Sequence, residues 1–139
     1  VNLVVDASLS GAWFLPDEGA GLADRVLEQA LAGVYSLCAP EIWVYEMLNL
    51  LVTAVRRGRM DESRMAPALA AFEALPVTRY GHTSLLSRRR VTSLATQFGL
   101  SAYDAAYLEL ADRLHCPLLT QDQALGEAAS RLGLGSPSL

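Results

Sequence analysis

Four acidic residues stand where short apolar runs end or where helices begin, and carboxylates gathered from such places hold hard cations. Asp6 closes the apolar run in "LVVDAS", and Asp122 follows the run in "PLLTQD". Asp104 opens the amphipathic segment "LSAYDAAYLELA", and Glu46 lies inside "EIWVYEMLNLLVTAV". Carboxylates brought together with no lysine between them repel one another, so the cluster needs a cation or raised pKa values. Oxygen donors select magnesium, manganese or calcium. Magnesium binds octahedrally and keeps several waters, which leaves room for a phosphate and an attacking water. Zinc is not indicated, because His82 and His115 are isolated in the sequence and no His-rich or Cys-rich ligand spacing accompanies them.

Three of the acids also have a purely structural explanation. Asp6 or Ser8 can cap a short helix that follows, and Asp122 can cap the last helix, by accepting from amides left free at a helix start. Ser101 and Asp104 are spaced as in a capping box, and an acid in the first turn suits the helix dipole. Both readings stand for these three. Glu46 differs because its helix is otherwise nearly all apolar. Glu46, Asn49 and Thr53 share one face and form a polar stripe. Either the stripe faces solvent, or Glu46 is aimed at a cation with Asn49 alongside to hold it or share the site.

The elements that must position these residues follow from periodicity. Short apolar runs alternate with longer amphipathic segments, the pattern of an α/β fold with a parallel sheet. Strands are predicted at 2–5, 35–38, 77–79 and 117–119. Helices are predicted at 9–14, 19–32, 42–57, 62–74, 84–98, 102–114 and 123–132, with Gly58, Pro76, Gly99 and Gly133 as stops. Open parallel sheets bind ligands at the carboxyl ends of their strands, which is where the acids fall. A chain of 139 residues without repeats or a composition break reads as a single domain over 1–139, with a loose tail at about 134–139.

The net charge is −4, and all 11 basic side chains are arginine. An acidic sum argues weakly against a nucleic-acid partner, but distribution matters more than the sum. Arg56, Arg57 and Arg59 cluster, as do Arg88, Arg89 and Arg90. They are either solvated helix faces or a basic rim gripping phosphate. Cys38 and Cys116 flank apolar runs and read as buried thiols in a reducing compartment. With no secretory leader at the start and no run long enough to span a membrane, the expected location is the cytoplasm.

The order "VVDAS", "APEIWVYEMLNLL", "GLSAYDAAYLELA", "LLTQDQAL" resembles the PIN-domain nucleases, and among them the VapC toxins of toxin–antitoxin pairs. The similarity runs from Asp6 to about Leu125, and "WFLPDEGA" and "RRGRM" are also similar to this group. The resemblance implies a PIN-like three-layer α/β/α fold with a short, mainly parallel sheet of four to five strands. It also implies an endoribonuclease dependent on Mg2+ or Mn2+, often a homodimer, held inactive by a cognate VapB-type antitoxin. Asp6, Glu46, Asp104 and Asp122 match the family's acidic quartet, and Ser8 and Thr120 match the small hydroxyl residues beside it.

On this reading Asp6 and Asp104 bind the metal directly. Glu46 and Asp122 bind it directly or through water, or orient the nucleophile. The ion polarises the scissile phosphate and supplies hydroxide near neutral pH, and RNA enters as an unpaired strand. Phosphoaspartate hydrolases and response-regulator receivers share an aspartate after the first strand but are expected to need a lysine, which this chain lacks. A nucleotide-binding switch would need a glycine-rich loop ending in lysine. The remaining alternative is a catalytically inactive PIN-fold protein-binding module, which the loss of one acid would have favoured.

Overall fold

The computed structural model describes residues 1–15 and 20–139. Four strands form one all-parallel sheet: β1 (Asn2–Val5), β2 (Ser36–Pro40), β3 (Val77–Tyr80) and β4 (Leu118–Leu119), in the order β3-β2-β1-β4. Seven helices are described: α1 (Ala7–Ser10), α2 (Ala20–Leu31), α3 (Ile42–Arg56), α4 (Met65–Glu73), α5 (Leu85–Phe98), α6 (Ala102–Leu114) and α7 (Gln123–Arg131). The start predicted for the second helix, Gly19, and the Pro16 to Gly19 portion of "WFLPDEGA" lie outside the described residues.

Successive strand residues point to opposite faces of the sheet, and the core divides accordingly. Leu3, Val5, Leu37 and Leu119 pack with Leu9, Ala12, Ala23 and Val26 on the side of α1 and α2. Val4, Cys38 and Leu118 pack on the other side with Trp43 and Met47 of α3, Phe72 of α4, and residues of α6 and α7. The layers are therefore helix, sheet, helix. Cys38 and Cys116 are both buried and free. No described helix is long and apolar enough to cross a membrane.

Three elements depart from the sequence reading. The helix predicted at 9–14 starts earlier, at Ala7, because Asp6 caps it, and tightens into a 3-10 turn over Gly11–Trp13. The helix predicted at 62–74 opens with a 3-10 turn, Glu62–Arg64, capped by Asp61. Pro67 then falls in the first turn of α4, where its missing N–H breaks no ladder bond. Strand β2 runs on to Pro40 because Ala39 and Pro40 pair with Arg79 and Tyr80. The stretch 134–139, read as a loose tail, makes contacts: the Leu134 carbonyl accepts from the Leu118 amide at 2.9 Å, and Leu139 packs against the α2-side core.

Candidate active site

Strand order decides which loops meet. The chain runs outward from β1 through β2 to β3, then returns so that β4 pairs with the opposite side of β1. Connections leave β1 and β4 in opposite directions, which opens a crevice at their carboxyl ends. Asp6 is the first residue past β1, and Thr120, Gln121 and Asp122 follow β4 directly.

Asp6 is 5% exposed. Ser8 Oγ donates to its Oδ1 at 2.7 Å, the Leu9 amide donates to the same oxygen at 3.1 Å, and the Thr120 hydroxyl donates to Oδ2. The Leu9 bond is the N-cap of α1. Two donors saturate Oδ1, whereas Oδ2 keeps a lone pair for another partner. The Ser8 and Thr120 hydroxyl oxygens lie 3.2 Å apart. They also accept from the amides of Gln121 at 2.9 Å and Asp122 at 3.0 Å, which laces the loops after β1 and β4 together. Burial pushes the Asp6 carboxyl up, the Thr120, Ser8 and Leu9 bonds oppose that, and the Asp122 charge adds to it.

The other acids arrive on helix starts. Asp122 caps α7 by accepting from the Leu125 amide at 2.8 Å. Ser101 caps α6, its Oγ accepting from the Asp104 amide at 3.1 Å, which leaves the half-buried Asp104 in the first turn. Burial and then the Asp122 charge raise Asp104, while the Ser101 hydroxyl lowers it. Glu46, on α3, accepts from the Tyr107 phenol of α6 at 2.7 Å. Burial raises Glu46, Tyr107 lowers it, and Asp104 and Asp6 raise it again. Burial, followed by Glu46, Asp6 and Asp104, pushes the Tyr107 phenol far above its ordinary value. Asp122 thus acts on Asp6 and Asp104, and both of these act on Glu46, so the four acids form one electrostatic group.

Two contributors escaped the sequence reading. Tyr107 is the hydrogen-bond partner of Glu46. Its signal was present, three residues after Asp104 and so on the same helix face. Ser10 carried none. Its buried hydroxyl donates to the Asp6 carbonyl at 2.7 Å and accepts from Trp43 Nε1 at 2.8 Å, joining the Asp6 loop to the Glu46 helix. Asn49, expected beside Glu46, is exposed. It lines a cavity with Glu46, Thr53, Arg57 and Arg59. Arg88 and Arg89 are exposed on α5, and Arg90 pairs with Asp112 at 3.1 Å. His82 Nε2 lies 2.8 Å from the buried Glu109, without hydrogen-bond alignment, and His115 ends α6.

Among the described residues no three His, Cys, Asp or Glu side chains close into a ready metal cage. The donors are carboxylate oxygens, three of them raised by burial and by one another's charge. That chemistry suits a hard divalent cation, since magnesium is commonly held by one or two carboxylates with its waters retained.

Comparison with known proteins bears on this geometry. A family model described as PIN domain matches residues 3–130. The chain is 34% identical over 131 residues to "Ribonuclease VapC3" of Pyrobaculum aerophilum, covering 91% of this chain and 94% of that protein. It is 32% identical over 125 residues to "Ribonuclease VapC9" of Mycobacterium tuberculosis, covering 90% and 89% respectively. The crystal structure of PAE2754 from Pyrobaculum aerophilum superposes with a TM-score of 0.67 at 24% identity, over 92% of this chain and 79% of that one. At that identity the likeness speaks for the fold alone.

Proposed function

The chain belongs to the PIN-domain family, and from that premise we infer that it is a VapC-type ribonuclease, a hydrolase that cleaves RNA. We read it as the toxin of a VapBC-type pair, acting on RNA phosphodiester bonds with Mg2+ or Mn2+ and water, and inhibited by a VapB-type antitoxin. The observation that supports this most is the electrostatic group of Asp6, Glu46, Asp104 and Asp122 in the β1/β4 crevice.

In this reading Asp6 and Asp104 would hold the ion, and Glu46 and Asp122 would do so directly or through water. When bound, the ion polarises a phosphoryl oxygen and acidifies water toward neutral pH. The residues of the chain supply the rest. Ser8 and Thr120 lock the Asp6 carboxylate in one orientation and join the two loops. Tyr107 holds Glu46 in place and favours its ionised form, in which it can orient the attacking water and accept its proton. Asp122 caps α7 with one oxygen and would turn the other toward the ion or one of its waters.

Incubation with an unstructured RNA tests the reading. Cleavage should require Mg2+ or Mn2+, stop with chelator, and disappear in Asp6→Asn. Millimolar Mg2+ should also raise the melting temperature, because a ligand bound only by the folded state adds about 2.7 kcal/mol at 100 times its Kd. Absence of cleavage together with an unchanged melting curve in metal would leave the inactive binding-module reading in its place.

A further inference from the structure

The acidic group opens on two troughs. One, about 260 Å³, runs along α3 and is lined by Glu46, Asn49, Thr53, Arg57 and Arg59. The other, about 750 Å³ and more open, runs along α7 and is lined by Thr120, Asp122, Glu127, Ser130 and Arg131. Each begins at a member of the acidic group and ends at arginine. From Glu46 to Arg57 is about 16 Å of helix, and from Asp122 to Arg131 about 14 Å. The terminal arginines have charge to offer: among the described residues Arg57 and Arg131 form no ion pair, and Arg131 is held over the Phe98 ring at 5.2 Å from its centroid. Glu127, the acid in the second trough, is engaged by Gln123 at 3.1 Å.

The Asp6 loop touches the elements that carry both troughs: Thr120, which lines the α7 trough, donates to Asp6 Oδ2, and Ser10 joins the Asp6 carbonyl to Trp43 of α3, the helix along which the Glu46 trough runs. Asp6 therefore links the two troughs. We propose that the α3 and α7 troughs form one continuous track for a single RNA strand, with Arg57 and Arg131 gripping phosphates on either side of the bond held at the acids. This rests on the ribonuclease reading and deepens it. The charge order along the track is positive, negative, positive. It suits a polyanion whose central phosphate meets the cation-holding acids and whose flanking phosphates meet arginine. Asn49, Thr53 and Ser130 add polar groups along the way, and the combined length fits an unpaired strand of roughly 4 nucleotides or more. A peptide inhibitor would need the opposite order, basic at the centre and acidic at its ends.

The test is direct binding of a labelled, unstructured oligoribonucleotide in chelator, by fluorescence anisotropy over a range of salt. Arg57→Gln and Arg131→Gln should each weaken binding several-fold and flatten the log K against log salt slope by about 0.7, the single-strand value per phosphate. Arg89→Gln, on the exposed face of α5, should leave both unchanged. In Mg2+ the two track variants should raise KM for this RNA and leave kcat near its original value. Binding and salt slope unaltered in both variants would overturn the track even if the chain cuts RNA, as would failure of the unaltered chain to bind. Unaltered RNA binding with weakened antitoxin binding would reassign the arginines to the protein partner and overturn it too. The expected binding changes without metal-dependent cleavage would keep the track and defeat the ribonuclease reading instead.

Discussion

Asp6 divides three neighbours between its two oxygens: Oδ1 takes Ser8 and caps α1 through Leu9, and Oδ2 faces Thr120 with a lone pair to spare. Capping and cation chemistry are compatible at one residue because they use different atoms. A carboxyl raised on folding contributes stability below its unfolded pKa and loses it as pH rises toward the folded value. Asp6, Glu46 and Asp104 are all of this kind, so without metal they weaken the fold as pH climbs above about 4. Glu109 works the other way. Burial raises it, but His82 and Arg113 outweigh that, so its contribution is lost as pH falls through its lowered value. Metal-free Asp104→Asn should therefore melt at or above the unaltered chain at neutral pH, with a flatter pH dependence. Its stabilisation by Mg2+ should shrink and its cleavage fall steeply. A variant that melts clearly lower and cuts normally would leave Asp104 only its helix-dipole role, about 0.3–1 kcal/mol. Tyr107→Phe keeps the buried ring but removes the donor to Glu46. Its cleavage rate should drop about 10–100-fold, and the acid limb of its pH–rate profile should move to higher pH. A profile that stays in place would make Tyr107 a packing residue alone.

At the scale of elements, α6 carries most of the site's supporting structure. Its first turn bears Asp104, its second brings Tyr107 to Glu46 on α3, and residues from Ala105 to Ala111 are buried. Ser101 starts this helix, and Gly99, at φ 65°, ends α5 in the left-handed region that only glycine enters cheaply. Ser101→Ala should cost about 0.5–2 kcal/mol by thermal or denaturant unfolding. Because the cap also positions Asp104, cleavage under fully folded conditions should fall as well, and Ser101→Asn should restore both. Loss of stability with unaltered cleavage would show that the cap acts on the helix and not on the acid.

Across the whole molecule, apolar side chains left at the surface bear on the homodimer expected from the sequence. Among the bulky residues of α2 and α4, Phe72 is core, packed 5.1 Å between ring centroids from Trp43, while Leu22, Leu27, Met65 and Leu69 are half-buried. A trough of about 550 Å³ between α3 and α4, lined by Val52, Val55, Met65 and Leu69, is the apolar surface nearest that expectation. Light scattering should give twice 15.0 kDa at micromolar concentration, and Leu69→Glu should yield a folded monomer. A monomeric unaltered chain, or a dimeric Leu69→Glu, would remove this surface from the interface.

Local pattern carried much of this protein. Alternating apolar runs announced a parallel α/β sheet, and helix-start chemistry put Asp6, Asp104 and Asp122 at element boundaries, because caps and strand ends depend on residues a few positions apart. The early start of α1, the extra pairing of β2 and the contacts of Leu134 and Leu139 were not legible, since each depends on a neighbour distant in sequence. The same holds for the site. Position 46 could be singled out as a carboxylate on an apolar helix, but not its bond to Tyr107, 61 residues away, nor the Ser10 bridge to Trp43, 33 away. Only the return of β4 to the far side of β1 sets Asp122 against Asp6, and only the packing of α6 across the sheet brings Asp104 and Tyr107 to Glu46. Composition and spacing chose the acids; strand order and helix packing, which follow from burying apolar faces far apart in the chain, made them one group.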